Sequence, residues 1–331
     1  MIVGISCWRP RSSWLVCVCA LTSGAVATDV RAQTYPARAL RLIVPFSAGG
    51  PSDVIARTLA QQLTSAVGQQ VVVDNRPGAN GIIGTELGVR AAPDGYTLVM
   101  LAFPHAINPS LQPKLPYDTV ADLAPIALAT SGPMLLAVHP SVPVNDVRGL
   151  IALARKRPGE LTCGSSGTGS TAHLALAMLN YMAGVDIAHI SYKGAGQGIT
   201  DVLGGQLSMY FGGVMAFLPH VKSGKLKGLA VSTRTRSEAA PGIPTIAETG
   251  MPDYEVSGWY GVAAPARTPA AIVRRLNTEI VSQLQRPDVR ERLVANGAEV
   301  VASTPEQFAS YIQTEIAKWE KIIKAAGIRA D

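Results

Sequence analysis

Residues 161–173 read LTCGSSGTGSTAH, which places glycines and hydroxyl side chains between a strand-like segment and a helix-like segment. Glycines let the backbone turn its amide groups toward a ligand, and hydroxyl groups add hydrogen-bond donors. The helix predicted to follow carries Leu174, Met178 and Tyr181 on one face. It would point the positive end of its dipole at the same place. The segment is therefore typical of a loop that binds an anion.

A second segment near the front of the chain has the same organisation. The apolar residues 40–46 are followed by SAGGPSD, residues 47–53, and then by a helical pattern. No Gly-Lys-Ser/Thr follows, so this is not a nucleotide-binding P-loop. Asp53 is better suited to ordering the start of the helix than to meeting a ligand carboxylate. Two such loops facing each other would form a pocket, although a tight turn that caps a helix would also explain residues 47–53.

Strand and helix patterns alternate along the chain, which predicts an α/β fold with parallel sheets. The proline-containing residues 104–125 are predicted to be a loop, followed by separate strands at 126–130 and 134–139. A strand at 255–264 could carry the chain back to the first domain. Helices beginning at Pro269 and at the capping box Thr304-Pro305-Glu306-Gln307 are expected to cover that domain. The length of 331 residues favours two domains.

Residues 1–32 have the pattern of a cleavable signal peptide, with Arg9 and Arg11 preceding an apolar segment at 14–26. Cleavage is expected after Ala32, and Ala27 is the other candidate. The apolar segment is well short of the roughly 20 residues that a spanning helix needs. Removing three basic residues and Asp29 lowers the formal charge from +6 to +4. We therefore expect an exported protein with no membrane anchor.

Composition argues against several classes of function. The basic residues are scattered without a Lys/Arg block, so nucleic acid is not an expected partner. Three of the four cysteines lie in the predicted signal peptide, which leaves Cys163 alone and excludes an internal disulfide in the mature chain. The five histidines are dispersed without metal-ligand spacing. The order of Gly164, Gly167 and Gly169 does not fit a dinucleotide-binding fingerprint. No metal and no cofactor are expected.

Nucleophilic catalysis is the alternative, because serines lie among glycines close to His173. The Gly-x-Ser-x-Gly elbow is not present: Thr168 stands two residues after Ser166, and Cys163 stands two residues before Ser165. A lone histidine inside a helix is more often a packing residue than a catalytic base. Lys193, at the end of a predicted strand, suits either a ligand site or a solvated surface. A secreted α/β hydrolase using Ser165 or Ser166 with His173 remains the competing hypothesis.

Several motifs follow one another along the chain: VPFSAGGPSD at 44–53, NRPGANG at 75–81, NPSL at 108–111 with LPYD at 115–118, GSSGTGSTAH at 164–173, and YKG at 192–194 with LGGQ at 203–206. In this order they resemble the Bug-type (TctC-like) periplasmic receptors of tripartite tricarboxylate transporters. The resemblance covers essentially the whole mature chain and implies a two-domain, type II periplasmic-binding-protein fold of the Venus-flytrap kind. Each domain would be a mostly parallel sheet flanked by helices, with domain 1 at 33–130 plus 256–331 and domain 2 at 131–255.

The resemblance also implies a function and a site. The protein would be a monomeric periplasmic receptor, not an enzyme, that binds a small carboxylate and delivers it to a membrane permease. The first loop would hold the carboxylate through amides and bridging waters, and the second would supply donors from the other domain. Relatives commonly have small hydroxylated residues around Phe103, so Phe103 suggests a less polar pocket for an aromatic or aliphatic acid. The implied ligand-binding residues are Phe46, Ser47, Ala48, Gly49, Gly50, Asp53, Phe103, Ser165, Ser166, Gly167, Thr168, Ser170, Tyr192, Lys193 and Gly194.

Overall fold

The apolar segment near the front of the chain forms the first strand, β1 (Leu40–Val44), in which four of five residues are buried. Such burial is expected for a strand that is covered on both faces. The computed structural model describes residues 35–329, so the predicted signal peptide and its cleavage site lie outside the described residues. Within 35–329, no helix is both long enough and apolar enough to cross a membrane.

Strands and helices alternate through most of the chain, as the sequence predicts. The other strands are β2 (Val71–Asn75), β3 (Thr97–Ala102), β4 (Leu123–Val138), β5 (Thr162–Ser165), β6 (Ala188–Ser191), β7 (Met209–Gly213), β8 (Lys227–Val231), β9 (Ser257–Pro265) and β10 (Glu299–Val300). The helices are α1 (Pro51–Val67), α2 (Ile82–Val89), α3 (Pro104–Leu111), α4 (Val147–Lys156), α5 (Thr171–Ala183), α6 (Ala195–Leu203), α7 (Val214–Lys222), α8 (Ala270–Leu284), α9 (Pro287–Ala295) and α10 (Pro305–Ala326).

The strands form a mixed sheet in the order β2-β1-β3-β9-β4-β7-β5-β6, with β8 and β10 also paired to β4. The pairs β1–β2, β1–β3, β5–β6 and β5–β7 are parallel. The returning strand β9 lies antiparallel between β3 and β4, so it does carry the chain back to the first strands. The parallel strands end at one edge of each group, where α/β proteins place ligand sites.

The structure corrects the prediction of two separate strands at 126–130 and 134–139. They are parts of one long strand, β4, which continues through Pro133. Residues up to Pro133 pair with β9, and from Met134 onward β4 pairs with β7 and β8. Two neighbouring partners, rather than a turn signal, determine this element, which is why the local sequence did not predict it.

The predicted loop at 104–125 is also corrected, because its first part is the helix α3. Pro104 occupies the first turn, where a missing N–H costs nothing. Pro109 lies inside the helix and cannot donate to the carbonyl of His105. The hydroxyl of Thr119, 3.5 Å away, donates to that carbonyl instead. A tertiary hydrogen bond thus compensates for a residue that normally ends a helix.

Of the two C-terminal helices predicted to cover the first domain, α8 packs there as expected, whereas α10 also contacts the second group of strands and helices. α8 packs against α1 and β4 of the first strand group. α10 begins with the predicted capping box, in which Thr304 and Gln307 exchange side-chain and backbone hydrogen bonds. It packs against α3 and β4, and also against α5 of the second group. Its Trp319 meets Phe103 edge to face, with ring centroids 5.1 Å apart.

The central strand β9 depends on a glycine for its packing. A Cβ atom on Gly261 would lie 2.3 Å from Phe308 Cζ and 2.9 Å from the carbonyl oxygen of Ala127. We expect Gly261→Ala to lower the free energy of unfolding by about 1–3 kcal/mol, because the core must shift to accept the methyl group. Chemical denaturation measures this loss.

The control is Gly258→Ala in the same strand, where the nearest atom would lie 3.9 Å away. It should cost far less. Adding Phe308→Leu to Gly261→Ala should recover part of the loss, because the shorter side chain makes room. Equal effects of the two glycine variants would contradict this account of β9.

Candidate functional site

The loop after β5 exposes a set of backbone donors at the start of α5. Gly167 and Gly169 adopt positive φ angles of 134° and 76°, which orient the peptide groups of the loop. The Ser170 hydroxyl caps the helix by accepting a hydrogen bond from the amide of His173. Among the residues that the structure describes, none accepts a hydrogen bond from the amides of 166, 168, 171 and 172. These amides are available to a ligand.

Side chains accept hydrogen bonds from other amides of the same loop and so fix its shape. The Ser165 hydroxyl accepts from the amide of Gly167 at 3.1 Å and lies 2.6 Å from His189 Nε2. His173 Nδ1 accepts from the amide of Gly169 at 3.1 Å. The imidazole rings of His173 and His189 stack with centroids 3.8 Å apart. Burial lowers the pKa of His189, which favours its neutral form.

Ser165 therefore has a different place from the one predicted. Its exposure is 0%, and its hydroxyl is bonded beneath the loop rather than directed at a ligand. It positions the loop. The histidine that contacts it is His189, on β6, whereas the hydrolase hypothesis paired it with His173.

A cavity of about 430 Å³, here called the α5 chamber, lies against this loop. Of the predicted residues, Phe103, Ser166, Gly167, Thr168 and Ser170 line it. Tyr192, Lys193 and Gly194 do not, and the chamber is bordered instead by the next residue, Ala195. The Tyr192 hydroxyl donates to Asp201 at 2.7 Å, and the Lys193 side chain is exposed.

A second cavity of about 450 Å³, the α1 chamber, adjoins the first. The two chambers share the lining residues Met134, Thr171, Gly213 and Ala216, so they form one cleft. The first predicted loop reaches the cleft through Pro51, which lines the α1 chamber. The other predicted residues of this loop, 46–50 and Asp53, line neither chamber.

Asp53 orders the first loop, as the sequence suggests. The residue is 3% exposed, and its carboxylate accepts hydrogen bonds from the amide of Gly49 at 2.9 Å, from Arg57 at 2.8 Å and from Asn75 at 3.0 Å. Burial alone would raise the pKa of Asp53, but these hydrogen bonds outweigh it and hold the pKa below its usual range. The Gly49 amide is therefore occupied by Asp53 and is not a free donor for a ligand.

Helix N-termini converge on the cleft. The first residues or caps of α3, α5, α6 and α7 line the α5 chamber, and Pro51 of α1 lines the other. Each helix start carries partial positive charge. In the described part of the chain, no Asp, Glu, Lys, Arg or His side chain lines either chamber. The cleft is thus suited to an anion that binds through amides, hydroxyls and helix dipoles.

Sequence reasoning assigned no ligand role to Asn80, which lines the α5 chamber. Asn80 adopts a left-handed backbone with φ 53°, a conformation that asparagine tolerates better than most residues. Its side chain donates to Asn108 Oδ1 at 2.9 Å, and Asn108 Nδ2 returns a hydrogen bond to the Asn80 carbonyl. The Asn-Gly pair at 80–81 was the available signal, since it marks a turn at the end of the motif NRPGANG.

Known proteins with similar sequences and structures fit this geometry. Residues 55–328 match the family described as "Tripartite tricarboxylate transporter family receptor". The protein BugT of Bordetella pertussis is 38% identical over 311 residues, which cover 93% of this chain and 95% of BugT.

Solved structures agree with these matches. An R. palustris protein solved with adipate is 36% identical, with a TM-score of 0.75 over 89% of this chain and 100% of that one. MatC from Rhodopseudomonas palustris, with bound malate, is 31% identical, with a TM-score of 0.71 over 87% and 100%. The family match and the relative's coverage lead to one conclusion: this chain belongs to the tripartite tricarboxylate transporter receptor family, the periplasmic solute-binding proteins of the Bug and TctC kind.

Proposed function

We propose that this protein is a periplasmic receptor that binds a carboxylate in the cleft and delivers it to the membrane component of a tripartite tricarboxylate transporter. The observation that carries the proposal is the group of unoccupied amides at the start of α5, in a cleft that several helix N-termini border. Two relatives were solved with carboxylates, adipate and malate. A carboxylate would complete the hydrogen bonds that the loop leaves open.

The mechanism we propose is closure of two domains, 33–130 plus 256–331 and 131–255, around the ligand. The chain passes between the two proposed domains at two connections, which support this division. The first is β4, which changes partners between Pro133 and Met134, and the second is the segment that leads into β9. The Ser232 hydroxyl accepts from the amide of Met134 and donates to the carbonyl of Val256, so it joins both connections. A ligand that contacts both sides would stabilise the closed form, which the permease would then recognise.

Within this mechanism, the residues of the two predicted loops have different roles. The predicted residues Ser166, Thr168 and Ser170, together with Thr171, would donate to the carboxylate. Ser165 and Asp53 hold the two loops in shape. The Gly169 loop lies close to the first domain, since a Cβ atom there would be 3.3 Å from Leu111 Cδ1 on α3. Small movements between the domains would therefore change the size of the α5 chamber.

Catalytic turnover forms no part of the proposal. A serine nucleophile must reach its substrate, and Ser165 is fully buried with its hydroxyl bonded to His189 and Gly167. The family and the fold are those of solute-binding proteins. Ser166 is exposed in the chamber, where it suits a hydrogen-bond donor.

The first test is binding. In a panel that contains malate, adipate and octanoate, we expect at least one carboxylate to raise the melting temperature of the mature protein, because ligands stabilise the state that they bind. Thr168→Val should weaken that ligand about tenfold or more, since it removes a hydrogen bond to a charged group. Calorimetry measures both effects.

Thr278→Val, on the exposed side of α8, is the matched control and should change neither the affinity nor the rise in melting temperature. If no carboxylate in a broad panel is bound, the receptor proposal fails.

The second test addresses hydrolysis. We expect the protein to hydrolyse p-nitrophenyl esters no faster than buffer does, because Ser165, the serine that contacts His189, is buried and cannot reach a substrate. Ser166→Ala should leave that rate unchanged, because we assign the exposed Ser166 hydroxyl to ligand binding. Release of p-nitrophenol is followed by absorbance. Clear turnover that disappears in Ser166→Ala would favour the hydrolase instead.

A further inference from the structure

The two chambers of the cleft differ in what they offer a ligand. The α5 chamber has the free amides and hydroxyls of the loop, whereas the side chains that line the α1 chamber are mostly apolar. Building on the proposed function, we propose that the ligand is an elongated monocarboxylate. Its carboxylate binds at the start of α5, and its uncharged chain extends past the shared wall into the α1 chamber.

The apolar side chains account for the uncharged chain. The apolar side chains that line the α5 chamber include Phe103, Met134, Ile199, Phe211 and Phe217. The α1 chamber continues this surface with Ile55, Pro133, Met215 and Ala298. A second carboxylate buried here would lose its hydration without meeting an opposite charge, which is strongly unfavourable. A hydrocarbon or aryl chain would be stabilised by the same surfaces.

The start of α1 is a poor site for a second carboxylate, although it borders this chamber. Its first residue is Pro51, which has no N–H to donate. The buried Asp53 carboxylate already occupies the first turn, where it accepts from Gly49 and Arg57. It thereby takes up the Gly49 amide and offsets the helix dipole, while Arg57 balances its charge. Apart from Thr171, which lines both chambers at their shared wall, the α1 chamber therefore offers an anion less than the start of α5 does.

The passage between the chambers is kept open by small residues. Of the four shared lining residues, Gly213 has no side chain and Ala216 has only a methyl group. A Cβ atom on Gly213 would meet nothing within 4 Å, so the space beside it is open. Ala216 is exposed on α7, which means that a larger side chain there would project into the passage without disturbing the core.

The test compares butanoate, octanoate and suberate by calorimetry on the mature protein. Each methylene that becomes buried should raise affinity about three- to fourfold, so octanoate should bind more than tenfold tighter than butanoate. Suberate has the same number of carbons as octanoate but a second carboxylate. It should bind at least tenfold more weakly than octanoate.

A pair of variants locates the chain of the ligand. Ala216→Leu narrows the shared wall and should weaken octanoate at least about fivefold more than butanoate. Ala195 lines only the α5 chamber, so Ala195→Leu should lower the affinities for the two acids to a similar extent. Ala270→Leu, exposed at the start of α8, is the control for added bulk and should leave both affinities unchanged.

The outcomes separate this inference from the function on which it rests. Tighter binding of suberate, adipate or malate than of octanoate would overturn the inference and leave a carboxylate receptor. Equal affinities for butanoate and octanoate, or equal losses of both in Ala216→Leu, would overturn the role of the α1 chamber. Failure of every carboxylate, dicarboxylates included, would overturn the receptor proposal as well.

Discussion

The site depends on the hydrogen bonds that hold the loop after β5 before any ligand arrives. Ser165 and His173 accept from the amides of Gly167 and Gly169, and His189 packs against both acceptors. The remaining amides are thereby aimed at the cleft with no partner in the described chain. Ordering such a loop costs conformational entropy, and when folding has already met that cost, a ligand does not have to.

Buried polar contacts beneath the loop explain why residues of similar type have different roles. Ser165 and Ser166 are neighbours in the sequence, yet one is fully buried and the other is exposed in the α5 chamber. Successive residues at the end of a strand point to opposite faces, which separates the positioning serine from the one that faces the cleft. The two stacked histidines each contact this loop, His189 at the Ser165 hydroxyl and His173 at the Gly169 amide.

A cleft without charged side chains binds an anion differently from one that contains Arg or Lys. Helix starts and amides provide partial charges that are fixed by the fold, so little reorganisation is needed when the ligand binds. Each helix start or amide would contribute modestly to the binding free energy. The apolar side chains of Phe103, Phe211 and Phe217 would then have a large share in selecting the ligand. Phe103 is also packed on Trp319 of α10, so the cavity wall is part of the protein core.

Local sequence was sufficient for elements that carry their own start and stop signals. It predicted the alternation of strands and helices and the capping box of α10. It also predicted that residues 164–173 and 47–53 form turns at helix starts, and the ordering role of Asp53. These features depend on contacts within a few residues, and such contacts can be inferred from spacing.

Tertiary structure decided the features that depend on distant partners. The strand β4 is continuous because β9, β7 and β8 pair along it. The helix α3 contains Pro109, and the hydroxyl of Thr119 donates to the His105 carbonyl that Pro109 leaves without a donor. Packing likewise buried Ser165, left Tyr192 and Lys193 outside the chamber, and brought Asn80 into its wall. Sequence alone determined that this protein has two glycine-rich helix starts; only the fold determined which of their groups face the cleft, because orientation is set by residues far away in the chain.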